Sequence, residues 1–232
     1  MKRMMLLFLA LVLCLLPLGG LAEDGIPTVT VTGSATVSAA ADYAVVSLGV
    51  DTVRKAVSDA MAENAAHIDA VLAALKNAGI DEKDIATDRF YVYTQYDYGA
   101  VTEDGGNPIR GYQVSNALSV TVREISAVGS VIDVAISAGA NACNGITFYS
   151  SQAASANDDA LTSAIAEGRR KAELAAKASG MRLGNLVSLT ESSGTYNGVR
   201  YAKAAVADAG GTQIIADGLD FSASVVLIYE LR

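Results

Sequence analysis

The chain has 232 residues, 51% of them hydrophobic and 18% charged, and its 17 Lys and Arg against 25 Asp and Glu leave a formal charge of −8. That acidic balance lacks the basic patch that nucleic-acid binding needs. One His and two Cys leave too few ligands for a structural zinc site.

Residues 1–22 read as a secretory signal. Lys2 and Arg3 form a positive start, residues 4–16 are almost wholly apolar, and Pro17, Gly19 and Gly20 break the run. Gly20 and Ala22 place small side chains where a signal peptidase reads them. The run falls short of the roughly 20 residues of a comfortable membrane span, so an uncleaved anchor is the lesser alternative. Leu13 stands before Cys14 where a lipoprotein signal wants a small residue, so Cys14 is not read as a lipid site. Cleavage removes Cys14 and leaves Cys143 alone, which rules out an intrachain disulfide in residues 23–232. Cys143 is expected to be a small buried hydrophobe, because its neighbours Asn141 to Gly145 include no base or cation to activate a thiol.

Strands come first in the mature part. Val29, Val31, Ala35 and Val37 alternate with Thr, Gly and Ser over residues 28–38, and Ala44, Val46, Leu48 and Val50 repeat the pattern. Period two means a half-buried strand, and two strands this close suggest an antiparallel hairpin. The period then changes. Val57, Met61, Ile68, Leu72 and Leu75, with Ala60, Ala65 and Val71, make one helical stripe that stops at Gly79. Strand signals return at 89–98 and 111–123, separated by a turn cluster at 102–108. A short helix follows, carrying Ile125, Val128, Val131, Ile132 and Ala135 and ending at Gly139. A strand is expected at 143–150 through Ile146 and Phe148. Asn157 or Asp158 caps the next helix, which runs to about Ser179 with Glu167–Lys171 and Glu173–Lys177 as i,i+4 pairs. Short and long strands at 186–190 and 219–231 close the chain. The order ββαββαβαββ predicts an α+β two-layer sandwich, a mostly antiparallel sheet with helices packed on one face. Residues 23–232 are read as one domain, with two intertwined α+β parts and a long flexible loop at 192–218 that holds Arg200 and Lys203.

The chemistry is sparse. His67 lies one helical turn after Glu63 and reads as a solvated helix residue. Asp81, Glu82, Asp84 and Asp88 follow one helix, and Asn157, Asp158 and Asp159 precede another; neither set has calcium-loop spacing, and both suit helix ends. No G-x-S-x-G elbow, dinucleotide fingerprint or phosphate-loop lysine occurs, so no catalytic, cofactor or metal residue is assigned. Tyrosine is the exception. Tyr91, Tyr93, Tyr96 and Tyr98 cluster on one strand, and Tyr91 and Tyr93 share the face opposite Phe90 and Val92. With Phe90 and Val92 toward the core, the tyrosines stand outward, which suits a docking surface or cross-strand pairing. Together with Arg200 and Lys203 they are the candidate interaction surface.

Several ordered pieces resemble the SIMPL-domain family. They are residues 30–35 leading to Gly49 and Val50, the run Gly111-Tyr112-Gln113-Val114-Ser115-Asn116, Gly139-Ala140-Asn141 leading to Gly145-Ile146-Thr147-Phe148, residues 170–175 with Gly180, and residues 222–231. The match runs across nearly all of the mature chain. The resemblance implies an exported bacterial protein, periplasmic, outer-membrane-associated or secreted, with an α+β sandwich of intertwined parts. It also implies relatives that are immunogenic antigens, relatives linked to oxidative-stress defence, and homo-oligomers among them. It carries no catalytic residues, and Arg110, Asn116 and Asn141 within its motifs are expected to fix turns and strand ends. The function expected from these readings is a non-enzymatic envelope or secreted protein acting by homo-oligomeric assembly or binding. The alternative is a small-molecule or glycan binder using the Tyr surface and the 192–218 loop. A lone Cys supplies little peroxide-reducing capacity, so any oxidative-stress link is expected to be indirect.

Overall fold

A computed structural model of the chain describes residues 26–192, 204–206, 212–216 and 218–232. The expected signal at 1–22, and Arg200 and Lys203, lie outside the described residues. In chain order the elements are β1 (Thr28–Ala39), β2 (Tyr43–Arg54), α1 (Val57–Asn77), β3 (Ile85–Tyr96), β4 (Ile109–Val122), α2 (Val128–Ser137), β5 (Ala142–Tyr149), α3 (Ala153–Ala178), β6 (Leu183–Ser192), β7 (Ala204–Val206), β8 (Thr212–Ile214) and β9 (Leu219–Leu231). Short 3-10 turns at Glu82–Asp84 and Ile125–Ala127 lead into β3 and α2. The architecture is the expected α+β sandwich. A four-stranded antiparallel sheet has the order β3-β4-β2-β5, a three-stranded antiparallel sheet the order β1-β9-β6, and β7 and β8 form a small ribbon.

The pairing of β1 corrects the sequence reading. β1 and β2 are consecutive but form no hairpin. β1 pairs along its whole length with β9, from Thr28 opposite Glu230 to Ala39 opposite Leu219, while β2 pairs with β4 and β5. Alternation identifies a strand and its buried face but carries no information about its neighbour. The bend at Ala40–Asp42 takes the chain from one sheet into the other, and β6 and β9 return it to the first.

Each sheet is covered by helices on one face. α1 lies across β2 and β4, and α2 packs against α1 and β2. The first core contains Val46, Leu48, Val50, Ile68, Val71, Leu75, Leu118, Val120, Val131 and Phe148, and Leu219 and Phe221 of β9 extend it toward the second sheet. Burying each of these side chains contributes about 1.5–3 kcal/mol relative to leaving it in water. The buried face of α1 is Ala60, Asn64, Ile68, Val71 and Leu75. Met61, placed on the stripe by spacing, is 45% exposed. A buried amide takes the centre of the stripe instead. Asn64 Nδ2 donates to the Val50 carbonyl at 2.8 Å and to the Val114 carbonyl at 3.3 Å, tying α1 to β2 and β4.

The second core is built on small residues. α3 turns Ala160, Ala164, Gly168, Ala172 and Ala176 toward β1 and β9, against Val225, Leu227 and Tyr229. The helix backbone comes so close that a Cβ on Gly33 would collide with the Ala164 carbonyl, and one on Gly168 would stand 2.6 Å from Leu227 Cδ1. α3 starts earlier than the sequence suggested. Its first residue is Ala153 and its N-cap is Gln152, while Asn157 and Asp158 lie inside the helix. The start is set upstream, where Asp42 accepts hydrogen bonds from the Ser151 backbone and hydroxyl. Glu167 pairs with Lys171 at 3.4 Å and Arg170 at 2.8 Å, whereas Glu173 pairs with Arg169 at 3.0 Å.

Two further expectations change. Part of the 192–218 segment, read as a loop, forms the β7–β8 ribbon; residues 193–203, 207–211 and 217 lie outside the described residues. β8 is held on α2, where Asp133 accepts from the Thr212 hydroxyl at 2.8 Å and the Thr212 backbone at 3.1 Å. Gly129 allows the contact, since a Cβ there would overlap the Thr212 carbonyl. Cys143, expected to be buried, is exposed. β5 is an edge strand, and a register shift opposite Ser47 and Leu48 interrupts its alternation, so that only Ile146 and Phe148 of this strand are buried.

Candidate functional site

The tyrosine strand is an edge. β3 pairs on one side only, with β4. Its partners set the faces: Tyr91 stands opposite Ser115 and Tyr93 opposite Gln113, while Phe90 stands opposite Asn116 and Val92 opposite Val114. The Tyr91 and Tyr93 rings meet at 5.7 Å between centroids. Beside them the Gln95 amide donates to Gln113 Oε1 at 2.6 Å.

The other face does not behave as expected. Phe90 and Val92 point to the helix side of the sheet but are 49% and 42% exposed, about as open as Tyr91 at 47% and Tyr93 at 48%. The helix pattern explains this: α1 covers β2 and β4, one strand short of β3. β3 therefore offers a two-sided apolar surface together with a free main-chain edge. Spacing could not reveal this, because it identifies the face on which a residue stands and not how far the covering helix reaches.

The surface continues past the strand. Tyr98 lies in the turn after β3, 82% exposed, with its ring 6.5 Å from that of Tyr96. The turn is held by its own polar groups: the Asn107 amide donates to the Asp97 and Ala100 carbonyls at 3.2 and 3.3 Å, and the Asp97 N–H donates to the Pro108 carbonyl at 2.9 Å. The four tyrosines thus form two ring pairs along this edge, Tyr91 with Tyr93 and Tyr96 with Tyr98, with a register shift between Gln95 and Tyr96 separating them.

The ionisable residues are dispersed into pairs. Lys83 meets Asp81 at 2.8 Å, Lys76 meets Glu82 at 3.3 Å, and Arg89 meets Asp88 at 3.3 Å. Asp84 is grasped by Arg123 through Nε at 2.9 Å and Nη2 at 2.6 Å, and this pair holds the Asp84 carboxyl below the usual carboxylate range. His67 stands 3.7 Å from Glu63, which is also paired with Arg54, and lies against Gly139. Among the described residues no three His, Cys, Asp or Glu side chains gather as a metal site requires.

Of the polar residues in the ordered motifs, Asn141 acts on the backbone as expected. It accepts from the Asp51 N–H at 2.8 Å and donates to the Asp51 carbonyl at 2.7 Å, imitating a strand neighbour at the end of β5. Asn116, expected to fix a strand end, instead lies within β4 with its Oδ1 buried and no hydrogen-bond partner for that atom among the described residues.

Comparison with known proteins places this architecture. A 26 kDa periplasmic immunogenic protein of Brucella melitensis is 28% identical over 211 residues, covering 88% of this chain and 84% of the relative. The protein of the same name from Brucella abortus matches equally. The uncharacterized protein YggE of Escherichia coli is 26% identical over 166 residues, covering 72% of this chain and 65% of the relative. Among the described residues no helix is long and apolar enough to cross a membrane. The family model SIMPL, described as a protein of unknown function (DUF541), matches residues 29–229, from β1 to the end of β9, and the chain belongs to that family.

Proposed function

We infer that the chain is an exported, non-enzymatic protein of the cell envelope or its surroundings that works by assembling with further copies of itself through the β3 edge. The observation that carries this reading is the edge itself. β3 is twelve residues long, its Phe90–Tyr93 stretch is open on both faces, and no Pro or charge interrupts that stretch. Charge and a register shift at Thr87–Arg89 and a second shift at Gln95–Tyr96 blunt the two ends of β3, and the stretch between them, Phe90–Tyr93, is left bare and suited to accept a short strand. Pairing would also remove the exposed tyrosine and phenylalanine rings from water, the residues that dominate interface energetics.

The export reading is supported by the basic-then-apolar start of the chain and by the periplasmic naming of the Brucella relatives. Light scattering of residues 23–232 tests the assembly reading. The wild type is expected as a defined oligomer. Val92→Lys and the double variant Tyr91→Ala, Tyr93→Ala are expected to shift it toward monomer with unchanged circular dichroism. A wild-type monomer at all concentrations, or variants that assemble normally, would overturn it. A second reading, a glycan docked on the Tyr91–Tyr93 pair, is favoured by the neighbouring Gln95 and Gln113 amides; a thermal shift with oligosaccharides checks it.

A further inference from the structure

At the end of the four-stranded sheet opposite the β3–β4 turn, a cavity of about 570 Å³ is lined by Asp42, Tyr43, Asp84, Thr121, Arg123 and Ser151. These residues come from five separate segments: the β1–β2 bend, the start of β2, the 3-10 turn before β3, the end of β4 with the residue after it, and the turn after β5. Nearly every one is held in place by a partner. The Asp84 carboxylate, only 9% exposed, grips Arg123 through two nitrogens while the guanidinium itself is 65% exposed. That leaves Arg123 Nη1 and one Nη2 hydrogen without a protein acceptor among the described residues. Asp42 is fixed by the Ser151 backbone at 2.9 and 3.0 Å and by the Ser151 hydroxyl. The Tyr43 ring is stacked on Tyr149 at 5.3 Å.

We propose that this cavity is a binding site for a zwitterionic small molecule of the amino-acid class, with the ligand carboxylate on Arg123 and its ammonium on Asp42. The charges argue for this class. Asp84 neutralises Arg123 but leaves its outward donors free, and Asp42 contributes a separate negative charge. A simple anion would meet both carboxylates, a simple cation would meet the guanidinium, and a neutral polyol could hydrogen-bond to these groups but would neutralise neither charge. A ligand carrying both signs gains from each. Donors from Ser151 and Arg123 hold Asp42 and Asp84 below the ordinary carboxylate range, so both stay charged at neutral pH. The Tyr43 face supplies an apolar wall for the ligand side chain and attracts an ammonium by its ring electrons. Because the partners are in place before any ligand arrives, little ordering is required on binding.

The test is an amide-resolved NMR titration of residues 23–232 with L-phenylalanine. Shifts are expected at Tyr43, Arg123 and Ser151. Phenethylamine, which lacks the carboxylate, and N-acetyl-L-phenylalanine, which lacks the ammonium, are each expected to bind at least about tenfold more weakly, the loss of one charge-assisted contact. Arg123→Gln is expected to produce a similar loss. If that variant fails to fold, the ligand series still decides, since it uses the wild-type chain. Absence of shifts with L-phenylalanine, equal binding of all three compounds, or shifts at these residues with glucose alone would overturn the proposal.

Discussion

Gly33 and Gly168 show how single residues decide the packing of this molecule. Both sit where α3 meets the β1–β9 pair, but their neighbours differ in how far they can move. A Cβ on Gly33 meets the backbone carbonyl of Ala164, whereas one on Gly168 meets the end of the Leu227 side chain. Gly33→Ala is therefore expected to cost more than Gly168→Ala, in the range of about 1–3 kcal/mol for overpacking. In thermal melts each kcal/mol lowers Tm by about 2–4 °C in a domain of this size. The carboxylates give a pH prediction. Asp42, Asp84 and Asp133 all have folded values lowered by hydrogen bonds, from Ser151, Arg123 and Thr212. Depressed carboxylates stabilise the fold fully above the unfolded value of about 3.9, and lose that contribution as pH falls through the lower folded value. Tm is expected to drop on acidification below about pH 4, and Asp84→Asn to reduce that drop. Cys143→Ser is expected to consume peroxide at the wild-type rate, because the thiol is unpaired and its sequence neighbours Asn141 to Gly145 include no base or cation to activate it. At this scale the sequence was only partly legible. The exposure of Cys143 depends on an edge strand and a register shift, and the burial of Asn64 depends on two carbonyls contributed by other strands. Neither is visible in local spacing.

Among the elements, strand and helix identity could be read directly, while partnership could not. The alternation of β1, β2, β4 and β9 and the stripe of α1 appear in the structure with their expected buried faces, apart from the centre of the α1 stripe. The hairpin expected between β1 and β2 does not form, since alternation is equally consistent with any neighbour. The β7–β8 ribbon is not legible in the sequence because each strand has three residues, too few for a period to register. Its attachment is a local matter that can be tested as such. Asp133→Ala removes the acceptor of both Thr212 bonds. Hydrogen exchange at Thr212 to Ile214 is expected to accelerate in this variant, while α1 and β4 keep their protection. Unaltered exchange at β8 would assign its attachment to other contacts. The candidate surface shows the same division. Tyr91 and Tyr93 share a face as alternation requires, but the exposure of Phe90 and Val92 follows from where α1 ends its cover.

For the molecule as a whole, the most consequential strand is the last. β9 is the centre of the three-stranded sheet and the neighbour of both β1 and β6, and it also supplies Leu219 and Phe221 to the first core. Removing residues 219–232 is expected to abolish cooperative unfolding, monitored by circular dichroism, because two strands and α3 lose their support together. Thr36 and Ser222 share a hydrogen bond across 186 residues of chain, and this is typical of the β1–β9 pairing. Among the described residues β1 has a single strand neighbour, β9, which follows every other described strand in the chain. Until β9 is synthesised, the layer that contains β1 lacks its central strand. Because β1 and β9 complete each other, the three-stranded layer is expected to close late, while the four-stranded sheet draws its strands from one contiguous stretch of chain.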